Sequence, residues 1–261
     1  MMKANKKKLH DLLVMAGVVA LFAVVAGLLY SGSLSRQVTN MLIPTSVYIV
    51  LAVSLNLVVG LLGELSLGHA GFMSVGLFSG CLVSIALSQT AMPLAVRMVL
   101  AMLAGGLVAA VFGLLVGLPT LRLKGDYLAI VTLACGEIIK NVITNLDITG
   151  GALGLNTSAV YSGAQVLLPY AAALVLITCV VMLNLKRSKY GRAIMAIRDN
   201  RIAAESVGLN VTFFKLAVFV IAAFFAGAAG VLYGHSLANV KAAAFDYNMS
   251  IEILVIVVLG G

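Results

Sequence analysis

"LAVRMVLAMLAGGLVAAVFGLLVGL", Leu94 to Leu118, holds one charged side chain, Arg97, in an otherwise apolar run. A bilayer core contains no water to satisfy a backbone, so a run of about 20 or more apolar residues spans as a helix. Similar runs recur from end to end. The chain is 62% hydrophobic and only 10% charged, against about 25% charged residues in soluble domains. Its mean hydropathy is +1.13. A transmembrane barrel would instead alternate over short segments. The expected fold is all-α: a polytopic transmembrane helical bundle forming a single domain over residues 1–261, with no room for a soluble catalytic domain.

Spans are expected at Leu12–Tyr30, Leu42–Leu62, Leu65–Leu87, Leu94–Leu118, Tyr127–Leu146, Val166–Leu185 and Leu216–His235, with an eighth from near Met249. The eighth stops at Gly261, short of the length needed to cross. The first follows a lysine-rich start and could pass for a signal peptide. Its apolar stretch exceeds the roughly 7–15 residues of a signal core, so it reads as a span.

The net charge of +8 does not imply a nucleic-acid partner. Basic residues concentrate at Lys3–Lys8, at Arg122 with Lys124, and between Lys186 and Lys215. With the N-terminus cytoplasmic, alternation puts the last two groups on the cytoplasmic side, as the positive-inside bias requires. The loops Asp147–Gln165 and Ser236–Tyr247 then face outward. Cys81, Cys135 and Cys179 lie inside apolar runs without metal or redox spacing, and read as small buried hydrophobes. The small-residue pairs Gly76/Gly80, Gly113/Gly117 and Gly230/Gly234 permit close helix approach.

Two places resist simple helices. "GLLGELSLGHAGF", Gly60 to Phe72, leaves almost no loop between the second and third spans and brings Glu64 and His69 to the membrane. It is either a broken, re-entrant segment lining a cavity or a tight hairpin with Glu64 in water. In "GDYLAIVTLACGEIIKNVITN", Glu137, Lys140, Asn141 and Thr144 share one helical stripe. A lipid-facing charge is costly, so the stripe either joins helices through a Glu137–Lys140 pair or lines an aqueous path. Glu64, His69, Tyr127, Glu137 and Asn141 are the candidate path residues.

Against this background "SKYGRAIMAIRDNRIAAESVGLN", Ser188 to Asn210, is strongly charged. Ile194, Ile197 and Ile202 interleave with Arg198, Arg201 and Glu205, which predicts a short amphipathic helix stopped by Gly208. It either lies on anionic lipid or offers Ala203 and Ala204 for close approach by a partner.

Ile202-Ala203-Ala204-x-x-x-Gly208 resembles the E-A-A-x-x-x-G signature by which ABC importer permeases dock on their ATP-binding subunits, with Ile202 in the Glu position and the acid at Glu205. "LNLVVGLLGELSLGHAGFMSVG", "GDYLAIVTLACGEIIKNVITN", "TGGALGL" and "SIEILVIVVLGG" are similar, in order, to segments of the branched-chain amino acid permeases of the LivM type. The resemblance covers roughly residues 56–261. It implies a bacterial inner-membrane location and transport of leucine, isoleucine and valine, with urea or short amides as the alternative. It further implies a homologous second permease, two ATP-binding cassette subunits and a periplasmic or extracellular substrate-binding protein. Residues 186–212 would be the docking loop, with Arg198, Arg201, Ile202, Ala203, Ala204, Glu205 and Gly208 at the contact. Chains of that family usually continue beyond "VVLGG", so further C-terminal spans are expected to be missing here.

No Gly-x-x-x-x-Gly-Lys-Ser/Thr loop is present to hold a nucleotide. No cofactor or metal is expected, and ATP hydrolysis would belong to the partners. An intramembrane enzyme would need more than the adjacent His235 and Ser236, whose side chains point apart on a helix. An ion-coupled secondary transporter would need an internal repeat, which is not evident, and would leave the charged loop without a purpose.

Overall fold

The computed structural model describes residues 2–90, 92–120, 123 and 125–260, with side chains from residue 15 onward. Arg122 and Lys124, expected on the cytoplasmic side, lie outside the described residues, as do the side chains of Lys3–Lys8. Among the described residues ten α-helices follow in order: α1 (Met2–Tyr30), α2 (Arg36–Asn56), α3 (His69–Ser88), α4 (Leu94–Thr120), α5 (Asp126–Asn145), α6 (Ala164–Arg187), α7 (Lys189–Asp199), α8 (Arg201–Ser206), α9 (Val211–His235) and α10 (Tyr247–Gly260). Among the described residues, seven segments are long and apolar enough to cross a membrane, and Met15–Tyr30 is a shorter apolar helix. The last is longer than the sequence suggests. Its helical turns begin at Ala242, so that Ala242–Gly260 makes a 19-residue apolar segment.

The core is built where α3, α4 and α9 meet, and glycine makes the contact possible. A Cβ on Gly76 of α3 would strike the backbone of Gly227 on α9, and one on Gly105 of α4 would strike the Gly76 carbonyl. Gly230 and Gly234 sit in the same way against Met73 and Cys81 of α3. The small-residue spacings thus bring backbones together, where dispersion contacts are gained at close range.

Two buried histidines tie this core through hydroxyls. Ser54 of α2 and His69 Nε2 are 2.9 Å apart. His235 donates from Nδ1 to the Val231 carbonyl at 2.8 Å, so in the neutral ring Nε2 accepts from Ser84 of α3, also at 2.8 Å. Ser236 gives its hydroxyl to the Tyr233 carbonyl instead. The adjacent His and Ser therefore form no catalytic pair.

The only strands among the described residues, β1 (Leu155–Asn156) and β2 (Asn239–Val240), pair antiparallel. They join the 147–163 loop to the 236–246 loop, and Thr157 reinforces the joint by donating to the carbonyls of Ala238 (3.0 Å) and Leu237 (2.6 Å). The two loops expected on the outer face therefore form one surface. Helix α6 separates it from α7 and α8, which lie at the other end of the bundle.

Candidate functional site

The second span does not end as an α-helix. Leu57–Leu62 is wound as a π-helix and stops at Gly63, whose φ of 76° only glycine adopts readily. A non-helical stretch then leads to α3 at His69, four residues later than the predicted third span. Freed backbone groups at membrane depth must find partners inside the protein. They do so here: the Leu67 N–H donates to Thr132 Oγ1 of α5 at 3.0 Å, and the Ala70 N–H to Ser250 Oγ of α10 at 3.3 Å. The Gly60 carbonyl accepts from Arg198 Nη1 of α7 at 2.9 Å.

Glu64 settles the choice left open for this segment. Its side chain is 13% exposed and pairs with Lys215, 7% exposed, at the start of α9. Glu64 Oε2 is buried without a hydrogen-bond partner among the described residues. The segment is a broken span closed by a buried ion pair, not a hairpin with its carboxylate in water. Lys215 counts in the sequence as one more basic loop residue, and nothing local marks it as the partner of a carboxylate 151 positions away.

The charged stretch is two helices rather than one. Ser188 caps α7 by accepting from Gly191 N, and Asn200 caps α8 by accepting from Ala203 N. Asn200 has extended φ, ψ of −154° and 102°, so the chain turns there. At about 100° per residue, a continuous helix would set Arg201 rather than Ile202 beside Ile194 and Ile197. After the break those two are buried and Ile202 is 80% exposed. Ala203 is exposed as well, whereas Ala204 is 3% exposed and turned into the chain. Arg201 and Glu205 pair at 2.8 Å. Gly208 ends α8 as predicted: at φ 86°, its N–H reaches the Glu205 carbonyl and that of Leu209 reaches Ala204. That is the Schellman arrangement, which favours glycine at this position.

Arg198 connects the arm to the broken span. Besides Gly60 it bonds Asp199, and its Cγ occupies the space that a Cβ on Gly63 would need. Arg198 and Lys186 also border a cavity of about 490 Å³ between α1, α2, α6 and α7.

The α5 stripe joins helices. Glu137 pairs with Lys140, and its Oε1 accepts from the Tyr247 N–H at 2.9 Å, capping α10 from another helix. A carboxylate there also complements the helix dipole. Tyr127, 72% exposed, and Asn141 lie on the outward surface of α5. His69 is buried in its bond with Ser54, away from any open surface. The structure thus brings Glu64, Lys215, Gly60 and Arg198 together beside the arm. Glu137 joins α5 to α10 instead, and Tyr127 and Asn141 stand apart.

Helical spans, a broken second span and a capped polar arm latched to that break define a multi-pass membrane protein. Residues 37–261 match the family described as branched-chain amino acid transport system, permease component. The chain belongs to that family. It is 36% identical over 261 residues to the high-affinity branched-chain amino acid transport system permease protein LivM of Salmonella typhimurium, covering 87% of this chain and 59% of that one. The LivM protein of Escherichia coli gives the same identity and coverage. The probable branched-chain amino acid transport permease protein LivM of Methanocaldococcus jannaschii is 30% identical over 172 residues, 63% of this chain and 50% of that one. The chain thus spans about three fifths or less of each relative's length. No solved structure matches it significantly.

Proposed function

We propose that the chain is the membrane-spanning component of an ATP-driven importer that carries leucine, isoleucine and valine across a bacterial inner membrane. The observation that carries this reading is the α7–α8 arm, with Arg198 on the Gly60 carbonyl of the broken span and Ile202 and Ala203 turned outward. The names of the relatives support the substrate class. A homologous second permease would complete the path. Two ATP-binding subunits would hydrolyse ATP and grip residues 186–212 from the cytoplasm, where the N-terminus also lies. A substrate-binding protein would dock on the opposite end, where β1 and β2 tie two loops into one surface.

In this mechanism residues 1–261 act as one transmembrane domain. Closure of the ATP subunits displaces α7 and α8. Arg198 passes that displacement to the π-helical turn, and Lys215 passes it from α9 to Glu64. The break is the element able to bend, since the π-helical turn and the non-helical stretch after Gly63 interrupt the regular α-helical ladder. Tyr127, Glu137 and Asn141 of α5 would line the path where the second permease completes it; Glu64 and His69 shape the segment that moves.

The test is cysteine cross-linking in the assembled complex. With Cys81, Cys135 and Cys179 replaced, Ile202→Cys or Ala203→Cys should cross-link to the ATP-binding subunits with a yield that changes on ATP addition. Leucine uptake should follow ATP. Failure of both positions to cross-link in a complete complex would refute the docking assignment, and uptake of urea without leucine would refute the substrate.

A further inference from the structure

Glu252 lies near the middle of the Ala242–Gly260 span and is exposed on the surface of the chain. Tyr48, near the middle of the Arg36–Leu62 span, donates its hydroxyl to Glu252 Oε2 at 3.3 Å. The neighbouring carboxylates are answered more fully. Glu64 has Lys215, Glu137 has Lys140 and the Tyr247 N–H, and Asp246 accepts from the Met249 N–H and Asn248. Among the described residues Glu252 has the Tyr48 hydroxyl and no cation.

An ionised carboxylate at this depth is strongly disfavoured against lipid, and such residues face a bundle interior or a water-filled path. The seam between α2 and α10 has the character of a path wall. Thr45 and Asn248 are exposed one turn from Tyr48 and Glu252 respectively, and the exposed aliphatic side chains of Ile49, Ile251 and Val255 border them. A single negative charge among small polar and aliphatic groups suits a ligand with one ammonium group and an apolar side chain. It does not suit an anion or a sugar.

We propose that Glu252, positioned by Tyr48, receives the α-ammonium group of the amino acid as it passes through the permease. The proposal rests on the importer reading given above. The carboxylate would hold the ammonium by a charge-assisted hydrogen bond, while the Tyr48 hydroxyl keeps Glu252 turned toward the path.

The test uses the complete complex, with its partner permease, ATP-binding subunits and substrate-binding protein, reconstituted in liposomes with leucine as the probe. Glu252→Gln should lower leucine uptake by about tenfold or more, the size of one lost charge-assisted bond, at unchanged complex yield. ATP hydrolysis should persist, so that transport per ATP falls. Glu252→Asp, which keeps the charge, should recover much of the uptake, and Tyr48→Phe should fall between. Wild-type uptake by Glu252→Gln would overturn the proposal. So would loss of complex assembly in that variant, which would mean that Glu252 pairs with a cation of a partner subunit. If the wild-type complex moves no leucine, the importer reading fails first and this assignment falls with it.

Discussion

Replacing Lys215 with Met is the most informative single perturbation of this fold. Met fills a similar volume, so packing at the start of α9 changes little. What changes is that Glu64, whose Oε2 has no partner among the described residues, loses the cation on Oε1. Both side chains are less than a sixth exposed, so water cannot replace the ammonium. Removing one partner of a buried pair costs about 3–5 kcal/mol. At about 2–4 °C per kcal/mol for a chain of this size, the unfolding midpoint in detergent should drop by roughly 6–20 °C. Glu64→Gln combined with Lys215→Met removes the stranded charge, and should recover at least about 2 kcal/mol of the loss, because contacting partners are non-additive. The measurement is a double-mutant cycle on thermal unfolding. Additive effects, or a Lys215→Met variant as stable as the parent, would refute the view that this pair closes the break.

Gly76→Ala should destabilise by about 1–3 kcal/mol, since the added methyl meets Gly227 backbone that cannot swing aside. Gly27→Ala, in α1 where a Cβ meets nothing within 4 Å, should instead be neutral or stabilise by about 0.5–1 kcal/mol; the same melting assay compares them. Arg198→Ala should leave the complex assembled and hydrolysing ATP while leucine moved per ATP falls, because the arm then lacks its hold on Gly60. Equal coupling in parent and variant, measured as uptake against phosphate release, would remove Arg198 from the transmission route.

Much of the architecture is readable from local sequence. Hydropathy and length alone place the spans, because a bilayer demands about 20 apolar residues at each crossing. Gly208 is legible as a helix stop, since the left-handed φ it adopts suits glycine. The break in the arm at Asn200 had a visible signal, a residue type that favours caps, but the amphipathic pattern of Ile194, Ile197 and Ile202 pointed to one helix. The Asn200 cap starts a second helix, and Ile202 stands exposed on it. The Glu137–Lys140 pair was predictable because i, i+3 neighbours meet on any helix. Its second task, capping α10, was not.

Read alone, the sequence established that this protein is a multi-span helical bundle with one polar arm, and it marked the glycine-rich segment between the second and third spans as either broken or a tight hairpin. Those features follow from composition, period and the conformational limits of glycine. Tertiary structure alone decided the long-range partners of the polar groups. It set Lys215 on Glu64 across 151 positions and Tyr48 on Glu252 across 204, and it gave Arg198 the Gly60 carbonyl. The physical reason is that a charge in a span carries no mark of its partner. Helices packed through glycine bring distant residues to hydrogen-bond distance, and only that packing determines which carboxylate meets a cation and which meets a hydroxyl.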